Sequence, residues 1–520
     1  MPSNNYSRAR GRVGSSLSQP IEDCAADTLA KVHRHHKRTP YSSNSFPVES
    51  YQWNCDDQGL YFYGQPFNSA NKAADAYWKE YISPTNPFVP SGWIGTCQFP
   101  QITAPGLDDS WQHGADLYAL YHDTLGFLPG RDEDWRSKVT YRVTTNVITS
   151  QVAGMVINAM WGTTDSVPIV VQASSVDSLE PTYSCGTASN LFNAIKSSSN
   201  PAWAAHLSAA SSLYATLDGI SGVSPTDGGF HASFDHYYDN LSARQCHSKP
   251  LPCKLVNGAN STTCVTQVLA DEVYRFGNWE YSQIYRDSPS SLAASAASYG
   301  VWVAELATHL RAVINGTSST LYYHNIAHDG SVSRLLSVLQ IDTMVWPGMG
   351  SEVVFELYKK TASTATSATS TKTSCSSATS TTQKCSHDNC LRQLLGKTES
   401  ASAFCPTFTA SAGATALPAW INNCGADPSR VSSACSCVVT PSAAATGTTT
   451  SSAPAATGTG ISAPTSPSGH YVRVLFGGQV LKSSNPSLGL IDMLPAETLL
   501  GYFDGLAGPG ASLVVQKCNS

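Results

Sequence analysis

Charge is scarce in this chain. Its 520 residues hold 31 Lys and Arg against 37 Asp and Glu, so 13% are charged and the net is −6, where soluble domains carry roughly 25%. That excludes an electrostatic grip on nucleic acid or anionic lipid as its main business. Long apolar runs are missing as well. None approaches the ~18 residues a membrane-crossing helix needs, so neither a membrane span nor a nucleic-acid partner is expected. The first thirty residues also lack the apolar core of a secretory signal, which leaves either a cytosolic protein or an N-terminus that is incomplete or misassigned; the second is the expectation.

What is present is distributed unevenly. Ten of the eleven Trp precede residue 361. Residues 361–384 are Ser, Thr, Ala, Pro or Gly at 20 of 24 positions, and residues 438–469 at 29 of 32. Such stretches cannot bury enough apolar surface to offset the entropy of ordering, so both read as linkers, and their Ser/Thr content suits O-glycosylation. Between them, Cys385, Cys390, Cys405, Cys424, Cys435 and Cys437 fall within 53 residues, which reads as three disulfides stapling a small module. Paired CxxC spacing for zinc is absent. Cys55, Cys97, Cys185, Cys246, Cys253, Cys264 and Cys518 are expected to be mostly bonded. Fifteen cysteines leave one over, with Cys24 or Cys375 the expected free thiol. Sequons at Asn5, Asn240, Asn260 and Asn315 agree with an oxidising, secretory setting and a glycoprotein.

Three segments carry chemistry. In LAKVHRHHKRTP, residues 29–40, a short partly apolar lead-in runs into Arg34, His35, His36, Lys37 and Arg38, placing several donors where a dianion could dock. A solvated basic loop is the plain alternative. Metal ligation by His33, His35 and His36 is another, disfavoured because adjacent imidazoles rarely converge and neighbouring arginines repel a cation. In VTYRVTTNVITSQVAGMVINAMW, residues 139–161, Val139, Tyr141 and Val143 alternate as a strand. Asn146 then caps a helix whose face is Ile148, Val152, Met155, Val156 and Ala159. Arg142 thus sits near a strand end. In TLYYHNIAHDGSVSRLLSVLQI, residues 320–341, Leu321–Ala327 reads as a strand and Val332, Leu335, Leu336 and Leu339 as a buried helix face. Asp329 stands at the junction as a natural N-cap, where unpaired N–H groups can also meet an anion.

In this order, RHHKRTP resembles the RHGxRxP signature of the histidine acid phosphatases, branch 2 of the histidine phosphatase superfamily. YRVTT resembles their middle arginine motif, and AHDGSVSRLL their HD motif with its Leu-rich helix. QGLYFYGQPF (58–67), GLDDSWQHGADLYALY (106–121) and the segment 470–506 look like secreted fungal members. The resemblance covers about residues 28–360 and 470–518.

It implies a metal-independent phosphomonoesterase of acid-phosphatase, phytase-like type, without cofactor. His35 would be the nucleophile that becomes phosphohistidine, Arg34, Arg38, Arg142 and His328 would bind phosphate, and Asp329 would be the general acid. Guanidinium forks suit phosphoryl oxygens, and a neutral imidazole is a competent nucleophile. Two departures stand out: His36 occupies the position of the motif's Gly, and Ile148 that of a second Arg six residues after Arg142. The preceding strand is also shorter and less apolar than the family's, with Lys31 inside it.

The implied fold is α/β and phosphoglycerate-mutase-like, a central mixed sheet with flanking helices and a mostly helical subdomain at about 160–290. The chain divides into a variable N-terminus (1–27), the first part of the phosphatase domain (28–360), a linker (361–384), the Cys-rich insertion (385–437), a second linker (438–469) and the domain's last part (470–518). Val353, Phe355 and Leu357 mark one strand face and Val472, Val474 and Phe476 another, and these two strands should pair across the insertion. The expected partner is a small phosphate monoester, the expected location secreted or extracellular. The competing function is a catalytically inactive secreted glycoprotein, anion-binding or of the cell wall, that keeps the fold.

Overall fold

The computed structural model describes residues 24–48, 51–56, 60–62, 76–78, 80–81, 83–89, 92–361 and 466–519, with Cys405, Val431 and Cys435. Strand β1 (Cys24–Arg34) runs into the cationic motif; β2 (Leu60–Phe62) and β3 (Ala76–Trp78) pair with each other. β4 (Val139–Val143) and β5 (Ile169–Val170) precede a second small pair, β6 (Cys253–Val256) and β7 (Ala259–Cys264). β8 (Tyr322–Ala327), β9 (Glu352–Lys360), β10 (His470–Phe476), β11 (Gln479–Val480) and β12 (Leu494–Pro495) follow. The central sheet has the order β11–β10–β9–β1–β8–β4–β5, with β12 beside β10. β1, β8, β4 and β5 are parallel, whereas β9 is antiparallel to β1 and to β10, so the sheet is mixed.

Alternation along the strands loads both faces of this sheet, because successive side chains point to opposite sides. Leu29, Tyr141, Ile326, Val354 and Leu475 face α1 (Ala104–Tyr118) and α2 (Val147–Trp161). Ala30, Val32, Ala327, Val353, Phe355, Leu357, Val472 and Val474 lie in the opposite core. Fully burying a Val, Leu or Phe there contributes roughly 1.5–3 kcal/mol. Between the layers' segments lie α3 (Gly186–Ile195), α4 (Pro201–Ala209), α5 (Ser211–Ser221), α6 (Asp235–Cys246) and α7 (Gln267–Ser282). The last three share a core of their own that includes Leu217, Tyr237, Leu241 and Val273. α8 (Ser291–Ile314), α9 (Asp329–Val338) and the helix Ala496–Ala507 cover the second sheet face. The α/β class with a central mixed sheet and flanking helices is therefore the observed one.

β9 and β10 pair in antiparallel register, Val354 opposite Leu475 and Leu357 opposite Val472. The chain leaves the sheet at Lys360 and returns at His470, where the Lys360 N–H donates to the Gly469 carbonyl at 2.9 Å. Two compact units result, residues 1–377 with 463–520, and residues 378–462.

Disulfides join Cys55 to Cys97, Cys185 to Cys518 and Cys253 to Cys264. Cys24, one of the two expected free thiols, is disulfide-bonded, and Cys246, one of the seven cysteines expected to be mostly bonded, is the free cysteine among the described residues. In the second unit Cys405 is bonded to Cys435; the island's other four cysteines and Cys375 lie outside the described residues. One sequon is excluded as an acceptor in the folded protein: Asn240 is buried, its amide donating to Asn44 O at 2.9 Å and its Oδ1 accepting from Arg244. Asn260 and Asn315 are exposed. No described helix is long and apolar enough to cross a membrane.

Candidate active site

Beyond Arg34 the chain turns out of the sheet at its carboxyl end, where open α/β sheets place ligands. The His35 N–H donates to Ala327 O at 3.0 Å, and Gly350 N–H donates to His35 O at 3.1 Å, so the motif is held between β8 and the approach to β9. From the other side α1 presses in. A Cβ on Gly106 would lie 2.0 Å from Lys37 O, so only glycine permits this approach. His36, where the motif's glycine was expected, is accommodated rather than strained. Its ring is buried between Ser110 (3.1 Å) and His113 (3.1 Å), against Gly350.

His35 itself is 1% exposed. Its Nδ1 lies 2.9 Å from His36 O, so Nδ1–H donates to that carbonyl and Nε2 carries the lone pair. Arg38 Nε–H donates to that Nε2 at 3.4 Å, and the His328 ring stands 5.4 Å away, edge-on. Burial, with Arg38, Arg34 and His328 adding to it, pushes the His35 imidazole well below its ordinary value, so it is neutral.

The two motif arginines are fixed by their surroundings. Arg34 donates to Pro347 O at 2.7 Å and pairs with Asp329 at 3.0 Å, while its Nε is buried with no partner. Arg38 pairs with Asp239 of α6 through both terminal nitrogens, at 3.0 and 3.3 Å, and stacks 4.3 Å over Tyr41. Asp239 also accepts from Tyr41 N and from Asn44. The helical part thus reaches the site through one carboxylate that sequence reasoning passed over. Its only signal was an acid four residues after Asp235, at the spacing of one helix face.

His328, and not Asp329, caps α9; Asp329 is the first helical residue and accepts from Gly330 N at 2.8 Å. Burial alone would raise the Asp329 carboxyl. Arg34, the Trp346 indole N–H (2.9 Å), Arg38 and His328 together hold it below the usual carboxylate range. His328 Nε2 lies 3.0 Å from Thr144 Oγ1 and 3.4 Å from Glu180. Asp235, exposed on the first turn of α6, has its carboxyl pushed up to about 7 by crowding protein and by Asp329, Asp239 and Glu280, against Arg38.

Five of the six sequence candidates thereby converge. The sixth, Arg142, has its terminal nitrogens engaged by Glu305 (2.7 Å), Gln172 (2.8 Å), Ser178 (2.9 Å) and Asp177 (3.1 Å), and among the described residues it has no hydrogen bond or ion pair with the other five.

Beneath the motif, on the α1 side, lies a polar cluster that is unusual for a core. Lys31 is buried and ion-paired with Glu352, which also meets His113 Nε2 at 2.9 Å. Burial, with neighbouring histidines or Lys31 adding to it, lowers the imidazoles of His33, His36, His113 and His324.

No family model matches the chain. Counting factor 60 of Dictyostelium discoideum is 26% identical over 375 residues, covering 66% of this chain and 83% of that protein. Among solved structures, the phytase of Klebsiella sp ASR1 is 13% identical with a TM-score of 0.42, over 66% of this chain and 80% of that one. The multiple inositol polyphosphate phosphatase of Bifidobacterium longum, in complex with inositol hexasulfate, is 9% identical with a TM-score of 0.38, over 67% and 86%. Structural likeness this slight establishes neither family nor activity.

Proposed function

We propose that this chain hydrolyses phosphate monoesters through a phosphohistidine intermediate, without a metal at the phosphate. The observation that carries the reading is the convergence of His35, Arg34, Arg38, His328 and Asp329 on one buried point, where each arginine is balanced by a carboxylate. His35 Nε2 attacks phosphorus as the ester P–O bond breaks, and the protonated Asp329 carboxyl delivers its proton to the leaving oxygen. Water, giving a proton back to Asp329, then cleaves the P–N bond and releases inorganic phosphate. Asp329 is paired with Arg34 in the free site; a phosphate dianion competing for that guanidinium lifts the carboxyl toward its acid form. The bonded cysteines support a secreted setting.

A second reading, an inactive anion-binding glycoprotein of a cell wall, draws on the engagement of Arg142 by Glu305 and Asp177, which withdraws one expected clamp, and on a curated relative that bears the name of a counting factor. Quenching the full chain into alkaline denaturant during turnover of an aryl phosphate labelled in its phosphoryl group separates the two, since the P–N bond survives in alkali. Label on His35, absent in His35→Ala, is expected. Phosphate binding with no turnover and no label would overturn the enzymatic reading in favour of the second.

A further inference from the structure

His33, His36 and His113 come from three different places, a strand, a loop and a helix, yet each offers a ring nitrogen and these nitrogens all lie within 4.8 Å of one another. Their ring centroids form a triangle of 4.8, 5.1 and 5.5 Å, with mutual tilts of 59–76°. Three imidazoles bound tetrahedrally at zinc–nitrogen distances of about 2.0–2.1 Å place their centroids roughly 5.2 Å apart. The observed triangle has those dimensions.

The outward nitrogens are arranged accordingly. His33 Nδ1 lies 2.9 Å from Arg34 O, a pure acceptor. His36 Nδ1 lies 3.1 Å from Ser110 Oγ, whose own hydrogen is spent on Gly106 O at 2.7 Å, so the hydroxyl accepts. His113 Nε2 lies 2.9 Å from the Glu352 carboxylate. His33 and His36 thus each have an acceptor behind them that draws the proton outward and turns the other lone pair inward, and the Glu352 carboxylate offers the same to His113 beside the Lys31 ammonium; such outer partners orient and strengthen metal-binding imidazoles. Inside, His36 Nε2 and His113 Nδ1 approach to 3.1 Å, and His33 Nε2, in a residue 0% exposed, has no partner at all. A bare buried acceptor of this kind keeps its full desolvation penalty. Lys31 Nζ, 3.0 Å from His113 Nε2, stays on the outer side of that ring with its charge matched by Glu352.

We propose that His33, His36 and His113 bind one divalent transition-metal ion, zinc by ligand type, in a buried three-imidazole site behind the cationic motif, the fourth position of the tetrahedron being left to a water. An ion at their centre satisfies the bare His33 nitrogen and turns the close approach of His36 and His113 into two metal bonds. It ties β1, the motif loop and α1 together and touches none of the five groups proposed to handle phosphate.

Without an ion, a single proton must bridge His36 and His113, with Lys31 donating to the outer nitrogen of His113 and His33 left bare. The two arrangements differ in an observable. The full-length chain is produced in medium supplied with cobalt, desalted against a weak chelator, and examined by elemental analysis and visible absorption. The expected result is about one cobalt per chain with the intense visible bands of a tetrahedral ion. His33→Gln with His113→Gln should lose both, and His113→Cys should keep the ion and gain a thiolate-to-cobalt band. Wild-type protein with no stoichiometric cobalt would overturn the proposal in favour of the bridging proton. So would a spectrum that His113→Cys leaves unchanged, since the ion would then reside on other histidines, and this variant serves even where the double variant does not fold.

Discussion

Asp329 shows how one side chain answers to several neighbours at once. Its carboxyl is held below the ordinary range by Arg34, Trp346, Arg38 and His328 in spite of burial. A carboxyl lowered on folding contributes stability that is present above its unfolded value and is lost as pH falls through its lowered, folded value. Asp329→Asn should therefore unfold at lower urea than the parent at neutral pH, and the gap should close as pH drops through the carboxylate range. A gap independent of pH would remove the electrostatic account. Kinetically, the same variant should lose ~10²–10⁴-fold in turnover of alkyl phosphates, whose leaving oxygen needs a proton, and far less of nitrophenyl phosphate. Parent activity should fall as pH rises and the carboxyl ionises in the complex. Equal losses on both substrates would mean that Asp329 positions Arg34 rather than donating a proton.

The elements succeed where local signals are strong. Asn146 caps α2, accepting from Ile148 N, as its position between an alternating and a helical segment suggests. β1 is longer than its sequence suggested, starting at Cys24, because its first residues pair with the end of β9, Cys24 opposite Lys360 and Ala26 opposite Tyr358, while Lys31 enters the core paired with Glu352. β9 and β10 are neighbours in register despite the 109 residues from 361 to 469 between them (469 − 361 + 1). Loop-closure cost rises only with the logarithm of length, which makes such an insertion tolerable. Replacing residues 362–465 by a short Gly/Ser turn should leave a soluble protein whose far-ultraviolet circular dichroism and phosphatase rate match the parent's domain. An aggregated product would show that the insertion is needed to complete the sheet.

For the molecule as a whole, the disulfide between Cys185 and Cys518 fixes the C-terminal helix Ser512–Asn519 to the start of α3, bridging a sequence separation of 333 residues. Long loops are where a crosslink most restricts the unfolded chain. The Cys185→Ala, Cys518→Ala pair should lose about 2–4 kcal/mol in urea unfolding, with the site's kinetics unchanged. An unaltered midpoint would show that this helix unfolds independently of the sheet. Alkylation before reduction should label Cys246 alone among Cys55, Cys97, Cys185, Cys246, Cys253, Cys264 and Cys518, because only its sulfur lacks a bond in the described fold.

Periodicity and capping signals marked the strands and helices that carry the three motifs, because these depend on neighbours within a few residues; the mixed α/β architecture and the candidates His35, Arg34, Arg38, His328 and Asp329 came from the resemblance of those motifs, in their order, to the histidine acid phosphatases. The contacts that give those residues their state are long-range and invisible along the chain. Asp239 reaches Arg38 across 201 positions, Glu352 reaches Lys31 across 321, and His113 meets His36 across 77. Arg142 turned to Glu305 and Asp177 for the same reason: a guanidinium near a strand end goes to whichever carboxylates packing brings beside it, and α8 brought Glu305. Adjacent histidines were expected not to converge, and His35 and His36 do not; the convergence came from His33 and His113, which folding alone sets against His36.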